Sequence, residues 1–481
     1  MQKSFEAHYK ASPVRLYRGN PLIEALPDIL SEEEAFDILK HEPPIPTAED
    51  RRGPAHIRRH ELALLRDIVR PTNDYIAFEP MFSTMLRSGY VDRNPKNPEY
   101  WTHLYHGKEV AAAGRKVFSP PMAKLAGGQL VMGLSGLGKS TMIRRILRLY
   151  PQVIRHRGLD GENSLHTQIV YVHVSAPVGG TVLALGDAII RSIAEAVGDK
   201  GIRRTGSTDE LIDYIFHLAR AYFIGVIVID DLQRLNESHP NQQKIITGFL
   251  TKLAEDVGVP ILAIGTYSVE AVFRSAFKDT RKFTGHGTHT FYHPSSVDDQ
   301  QWDDLVEFVW QYQWLKAPQK LTPEIKKELY FQAVGIPDML IKLWHLSQVL
   351  AISSGDEKIS VQTIRDVASN ELRLVQPALQ ILRKRKLGVL RADEALRYED
   401  LFPRDIWSNN LEEQAYLRGL GADEKGPATK SINPSPNQKK EKAQQSVTAV
   451  SDFRKILVEG ESRYSQLRSK GLVAKDCHDV S

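Results

Sequence analysis

Residues 127–150 read GGQLVMGLSGLGKSTMIRRILRLY. A short apolar run leads into Gly133-Leu-Ser-Gly-Leu-Gly138-Lys139-Ser140, which matches the phosphate-loop pattern G-x-x-x-x-G-K-[ST] in full. An amphipathic helix follows at once, so the loop has the strand–loop–helix setting that its chemistry requires. The glycines let backbone N–H groups turn inward on phosphate oxygens, and the helix N-terminus adds its partial positive charge. The cradle expected for ATP therefore comprises Gly133, Ser135, Gly136, Leu137, Gly138, Lys139, Ser140 and Thr141. Lys139 reaches the β- and γ-phosphates, and the Ser140 hydroxyl is a ligand for Mg2+.

Outward from this loop, QIVYVHV, FIGVIVID and VPILAIG are further 4–7-residue apolar runs, separated by helical segments over 181–198, 207–222 and 242–258. Continuous apolar runs are the mark of parallel strands covered on both faces, so the pattern predicts an α/β fold with a parallel sheet. Ser207 and Glu210 stand at capping-box spacing. Asp230 and Asp231 follow the apolar run Ile227 to Ile229, at the carboxyl edge where open parallel sheets bind their ligands. Asp230 is placed to hold Mg2+ and Asp231 to polarise the attacking water. Thr266, which ends VPILAIGT, is a candidate sensor of the γ-phosphate. Arg281, or else Lys282, is a candidate for the cation that one subunit of an oligomeric ATPase supplies to its neighbour.

The remaining chain sets the boundaries. At about 150 residues per domain, 481 residues suggest three units. With 42% hydrophobic and 25% charged residues, most of the chain can bury a core, which excludes a fibrous or wholly disordered protein. The single cysteine, Cys477, excludes an internal disulfide and a cysteine zinc site, and fits a reducing cytoplasm. The first twenty residues lack an apolar core and no stretch approaches the ~20 apolar residues of a membrane span, so a soluble, untargeted chain is expected. A net charge of +4 does not by itself announce nucleic-acid binding.

Residues 1–120 read as irregular, with a short helix over His60 to Val69, and offer Tyr75, Phe78, Phe82, Tyr90, Tyr100 and Trp101. A region that docks partners and a small helical domain built on those aromatics are both compatible with this pattern. Residues 121–295 form the ATPase core. After about Ser296 the strands stop and helices capped at Thr322 and Ser360 indicate a helical lid over 296–400. Residues 401–450 form a largely flexible linker in which Lys425 to Ala449 holds five lysines and no aromatic, and 451–481 regain apolar spacing as a partner-binding peptide.

Several stretches together resemble the TnsC family, AAA+ regulators of Tn-seven-like transposons. They are YRGNPLIEALP (17–27), GYVDRNPK (89–96), the phosphate loop, YPQVI (150–154), IVIDDLQRL (227–235), VGVPILAIGT (257–266), GIPDMLIKLWHLSQ (335–348) and ELRLVQPALQ (371–380). The resemblance implies an AAA+ P-loop ATPase using ATP and Mg2+ that forms, in the bacterial cytoplasm, a ring or helix of six or seven subunits per turn around target DNA. It also implies partners: a target-selection protein of TniQ or TnsD type, and transposase subunits of TnsA and TnsB type, the former met by the C-terminal tail. Two departures stand out. The family usually has glutamate where this chain has Asp231, which suggests slower hydrolysis. Many AAA+ lids carry G-x-x-R, whereas Gly335-Ile-Pro-Asp338 offers an acid, with Lys342 the nearest substitute.

For duplex DNA, read through its backbone, the first candidates are Lys200, Arg203 and Arg204, in a loop before a helix N-terminus. Arg144 and Arg145, and the run Arg383 to Lys386, are the others. The leading reading is an ATP-dependent regulator of transposition that assembles on target DNA and disassembles on hydrolysis. The alternatives are a nucleotide-bound scaffold that does not hydrolyse, and an AAA+ loader of another replication or recombination machine.

Overall fold

The computed structural model describes residues 4–98, 100–101, 127–160, 164–178, 180–199, 201–202, 208–235, 240–256, 258–274, 285–386 and 401. The linker and tail expected over 401–481, apart from residue 401, and the Ser207 cap lie outside these residues.

Of the two readings of the N-terminal region, the irregular one is corrected over its described residues, 4–98 and 100–101, which are largely helical. A short strand β1 (Ser4–Glu6) precedes α1 (Pro21–Glu24), α2 (Glu32–Leu39), α3 (Ala48–Arg52), α4 (Ala55–Glu61) and the 19-residue α5 (Asn73–Val91), with a 3-10 turn over Leu62–Asp67. Reciprocal side-chain caps start α2 at Ser31 with Glu34 and α3 at Thr47 with Asp50. In α5, Tyr75, Phe78, Phe82, Met85, Leu86 and Tyr90 recur at helical spacing and are all buried. Pro80 lies inside this helix, where a proline costs about 3 kcal/mol. Phe78 and Phe82 on either side are fully buried, and at about 2–3 kcal/mol each their burial outweighs that loss.

The central sheet is formed by β2 (Gly128–Gly133), β5 (Tyr171–Ser175), β6 (Val226–Asp230), β7 (Ile261–Gly265) and β8 (Thr288–Phe291), in the order β5-β6-β7-β2-β8 with every pairing parallel. A side sheet pairs β1 parallel to β3 (Val153–Arg157), and β3 antiparallel to β4 (Leu165–Ile169). The run QIVYVHV is thus two strands in two sheets. At the break, Val170 N–H donates to the Gln152 carbonyl and its own carbonyl accepts from Val226 N–H.

Helices α6 (Lys139–Arg148), α7 (Val182–Val197), α8 (Thr208–Ala221), α9 (Pro240–Asp256) and α10 (Val269–Arg274) alternate with the strands. Pleating divides the sheet's side chains between two clusters. Val131, Val226, Val228, Leu262 and Ile264 pack with α5 and α6, and Leu130, Ile227, Ile229, Ile261 and Ala263 with α7, α8 and α9. The N-terminal aromatics therefore build neither a free docking surface nor a separate core; α5 roofs one face of the sheet.

The lid consists of α11 (Gln300–Trp310), α12 (Pro323–Ala333), α13 (Pro337–Ser354), α14 (Val361–Asn370) and α15 (Gln376–Lys386). Thr322 caps α12 with Pro323 at its first turn, and Ser360 and Thr363 cap α14, as the sequence indicates. Trp302, Trp314 and Trp344 are fully buried, and Trp310 stacks on Trp344 at 4.2 Å between ring centroids. Leu62 and Leu65 from the N-terminal region complete this cluster. Nearby, Arg58, 1% exposed, donates to the Glu357 carboxylate at 2.6 and 2.9 Å and to the Trp314 carbonyl at 2.7 Å. The N-terminal region is thus fastened to the sheet through α5 and to the lid through α4.

Candidate nucleotide site

Strand β2 delivers the phosphate loop to the carboxyl edge of the sheet. Gly136 and Gly138 have φ of +85° and +88°, the left-handed region that side chains with a Cβ disfavour. The Lys139 ammonium donates to the carbonyls of Gly133 and Leu134 at 2.8 and 2.7 Å, lying over the loop it serves. Ser140, in the first turn of α6, donates its hydroxyl to Asp230 Oδ1 at 3.0 Å. The fold thereby joins the two halves of the motif, 90 residues apart. A hydroxyl and a carboxylate oxygen converging beside the loop are the hard donors that Mg2+ takes when it keeps several waters, so these residues fit that ion.

Asp231 has a left-handed backbone, φ +57°, and its N–H donates to Asp230 Oδ1 at 2.9 Å. Both of its carboxylate oxygens are engaged. Gln233 Nε2 donates to Oδ1 at 3.2 Å, and the Arg234 guanidinium pairs with Oδ2 at 2.9 Å. Gln233 Oε1 accepts in turn from the Thr266 N–H at 3.3 Å, and the Thr266 hydroxyl lies 3.0 Å from that of Ser268. Gln233 therefore ties the acidic strand end to the neighbouring strand end. A Cβ on Gly265 would overlap Val269 and press on Gln233, so the glycine before Thr266 makes room for this bridge. Sequence reading passed over Gln233; its only signal is a place two residues beyond the acid in IVIDDLQRL.

These groups face a cavity of about 580 Å³ that is also lined by Arg66, Ile68, Val69, Arg70, Thr72 and Tyr75 from the N-terminal region and by Leu305, Pro337, Asp338, Ile341 and Lys342 from the lid. The Tyr75 hydroxyl donates to the Gly138 carbonyl at 2.8 Å, and burial raises the pKa of that phenol, so it stays a donor. A Cβ at Gly138 would collide with the same hydroxyl, a second reason for glycine there. At the start of α13, Asp338 N–H donates to the Gly136 carbonyl at 3.2 Å. Lys342, the substitute suggested for the missing lid arginine, instead pairs with Asp338 at 2.6 Å. A larger open groove of about 870 Å³ between α12 and α14 has no glycine loop and no paired acid.

Arg281, Lys282, Lys200, Arg203 and Arg204 lie outside the described residues. Of the other basic candidates, Arg145 donates to the Leu39 and Lys40 carbonyls, and Arg383 donates to the Phe331 carbonyl at 2.8 Å and lies over the Phe331 ring. Lys386 donates to the Pro294 carbonyl and to the Tyr330 hydroxyl, and burial lowers its pKa to about 8. Each of these three cations is engaged by backbone carbonyls of the protein body, Lys386 while still exposed.

The parallel order of the sheet, the phosphate loop after β2, the acid pair after β6 with β7 between the two strands, and the helical lid closing on the loop define an AAA+ P-loop fold. Residues 124–273 match the family model described as an AAA domain. No curated protein sequence matches the chain. Among solved structures, Cdc6p from Pyrobaculum aerophilum is similar at 16% identity and a TM-score of 0.35, over 68% of this chain and 86% of that one. The Walker-type ATPase of Pyrococcus abyssi has 16% identity and a TM-score of 0.36 over 54% and 71%, and Drosophila ORC bound to DNA has 13% and 0.35 over 84% and 86%. No described helix is long and apolar enough to cross a membrane.

Proposed function

We propose that the chain binds and hydrolyses ATP with Mg2+ in this cavity, that ATP binding assembles it as a ring or helix on the backbone of duplex DNA, and that the assembly links a target-selection protein to the transposase of a Tn-seven-like element. The observation that carries the nucleotide reading is the meeting of Ser140 with Asp230 beside the glycine loop. Bound there, Mg2+ supplies charge neutralisation of the phosphates. Lys139 moves from the loop carbonyls to the phosphate oxygens, Thr266 and Gln233 mark the position of the last phosphate, and Asp231 takes a proton from the attacking water. The shorter side chain of Asp231 and its two present partners make that last step slow.

The transposition reading is supported by where the family-like stretches lie. Asn20 of YRGNPLIEALP donates to the carbonyl of Tyr90 of GYVDRNPK at 2.7 Å, and Asn94 of the second donates to Gly19 of the first at 3.3 Å. Gly89 abuts Pro260 of VGVPILAIGT so closely that a Cβ would overlap it. Stretches separated by up to 240 residues therefore form one packed unit. Lys139→Ala is expected to abolish ATP-dependent oligomers when the protein is imaged on duplex DNA with a slowly hydrolysed ATP analogue; unchanged assembly would refute the proposal.

A second reading, a scaffold that holds nucleotide without hydrolysing it, is favoured by the engagement of both Asp231 oxygens. Phosphate release in the presence of DNA separates the two. Asp231→Asn slows it if the chain hydrolyses ATP and leaves it unchanged if it does not.

A further inference from the structure

The cations around the cavity are not equivalent. Lys139 sits at the phosphate end, over the loop carbonyls, and Lys342 is neutralised by Asp338. Arg70 pairs with Glu42 at 3.4 Å and lies over the Phe308 ring at 4.7 Å. Arg66, in the last turn of the 3-10 segment Leu62–Asp67, lines the same cavity, is exposed, and makes no hydrogen bond or ion pair among the described residues. The 3-10 segment packs against α13, where Leu62 and Leu65 share a buried cluster with Leu343 and Trp344, and this sets the Arg66 charge toward His345 of that helix, whose pKa is lowered first by burial and then by that charge.

Helix α13 acts as a ruler. Asp338 at its start touches Gly136 of the phosphate loop, and Asp338, Ile341 and Lys342 follow one another along the cavity wall. His345 comes seven residues after Asp338 on the same face, and at 1.5 Å per residue that is about 10 Å from the loop. This is comparable with the separation of the middle phosphate from the base in an extended nucleoside triphosphate. A cation beside His345 is therefore too far out to serve the phosphates and is at the right depth for the base.

On the reading of the cavity as a nucleotide site, we propose that Arg66 holds the base end of the nucleotide, its planar guanidinium stacking on the face of the purine. Arginine is suited to this because it combines permanent charge with a flat, weakly hydrated surface. The residue that secures the base then comes from the segment between α4, fastened to the lid, and α5, fastened to the sheet.

The test compares ATP with inorganic tripolyphosphate, each binding to wild type, Arg66→Ala, Arg66→Lys and Lys139→Ala full-length protein with Mg2+ present. Arg66→Ala is expected to weaken ATP about fivefold, the scale of a partly exposed cation–π contact, and to leave tripolyphosphate unchanged. Arg66→Lys is expected to behave like Arg66→Ala, because lysine keeps the charge but not the plane. Equal loss of both ligands would place Arg66 on the phosphates and overturn the proposal. So would full recovery by lysine, or unaltered ATP binding in Arg66→Ala. Because Arg66 is exposed and unpaired, its variants should melt with the wild type. The nucleotide reading fails separately if wild-type protein binds neither ligand or if Lys139→Ala binds both normally, and the Arg66 proposal falls with it.

Discussion

Replacing Arg234 with alanine measures how far its ion pair holds back the proposed base. The guanidinium sits 2.9 Å from Asp231 Oδ2, with the two side chains 41% and 34% exposed, and it is absent from the cavity wall. Ion pairs this exposed are worth about 0.2–1 kcal/mol. If the pair has to open before Asp231 accepts a proton from water, removing Arg234 takes that amount off the barrier. At 1.4 kcal/mol per factor of ten, kcat should rise about 1.4- to 5-fold. KM for ATP should stay unchanged, because Arg234 does not face the nucleotide. Phosphate release at saturating and at limiting ATP, with and without duplex DNA, gives both quantities. A tenfold fall in kcat would refute this reasoning and make Arg234 a residue that orients Asp231 for the reaction.

Two further outcomes follow from contacts that the N-terminal region makes. Tyr75→Phe removes one hydrogen bond to the Gly138 carbonyl and nothing else, so ATP affinity should fall by roughly 2- to 13-fold, the equivalent of 0.5–1.5 kcal/mol, with the fold intact by circular dichroism. Arg58→Ala leaves the Glu357 carboxylate and the Trp314 carbonyl without their buried donor, and should cost about 3 kcal/mol, read as faster hydrogen exchange over residues 55–67. The hydrogen bond from Arg58 is the main cause that lowers the pKa of Glu357 from 4.5. A depressed carboxylate pKa means that the unfolded chain takes up the proton first. The stabilisation is therefore complete above the ordinary value and disappears as pH falls through the lower, folded one. Urea midpoints should show this acid-side slope in wild type, and a shallower one in Arg58→Ala.

The phosphate loop and the four strands read from apolar runs were legible because each is a local pattern: a spacing of glycines, or a buried parallel strand that is apolar throughout. The helix caps at Thr322 and Ser360 were legible for the same reason. Helix α5 was not. Pro80 and Gly89 interrupt its propensity, and its aromatics are helical only because the sheet face lies beneath them. Strand β8 was missed, and β4 was read only at its Gln168-Ile169 end, because LHTQI and THTF are polar for strands, with β8 at the edge of its sheet and β4 in the small one. In the site, Asp230 and Ser140 announced themselves by motif. Tyr75 and Gln233 act on backbone groups 63 and 33 residues away, and a carbonyl or an N–H as partner leaves no trace in the sequence.

The dual attachment of the N-terminal region bears on how such proteins can be recombined. A fragment starting at residue 121 would bare Val131, Val228, Leu262 and Ile264 on the sheet face that α5 covers, and would take Leu62 and Leu65 out of the tryptophan cluster. Grafting the first 120 residues of one homologue onto the ATPase of another would set two mismatched surfaces against each other at once.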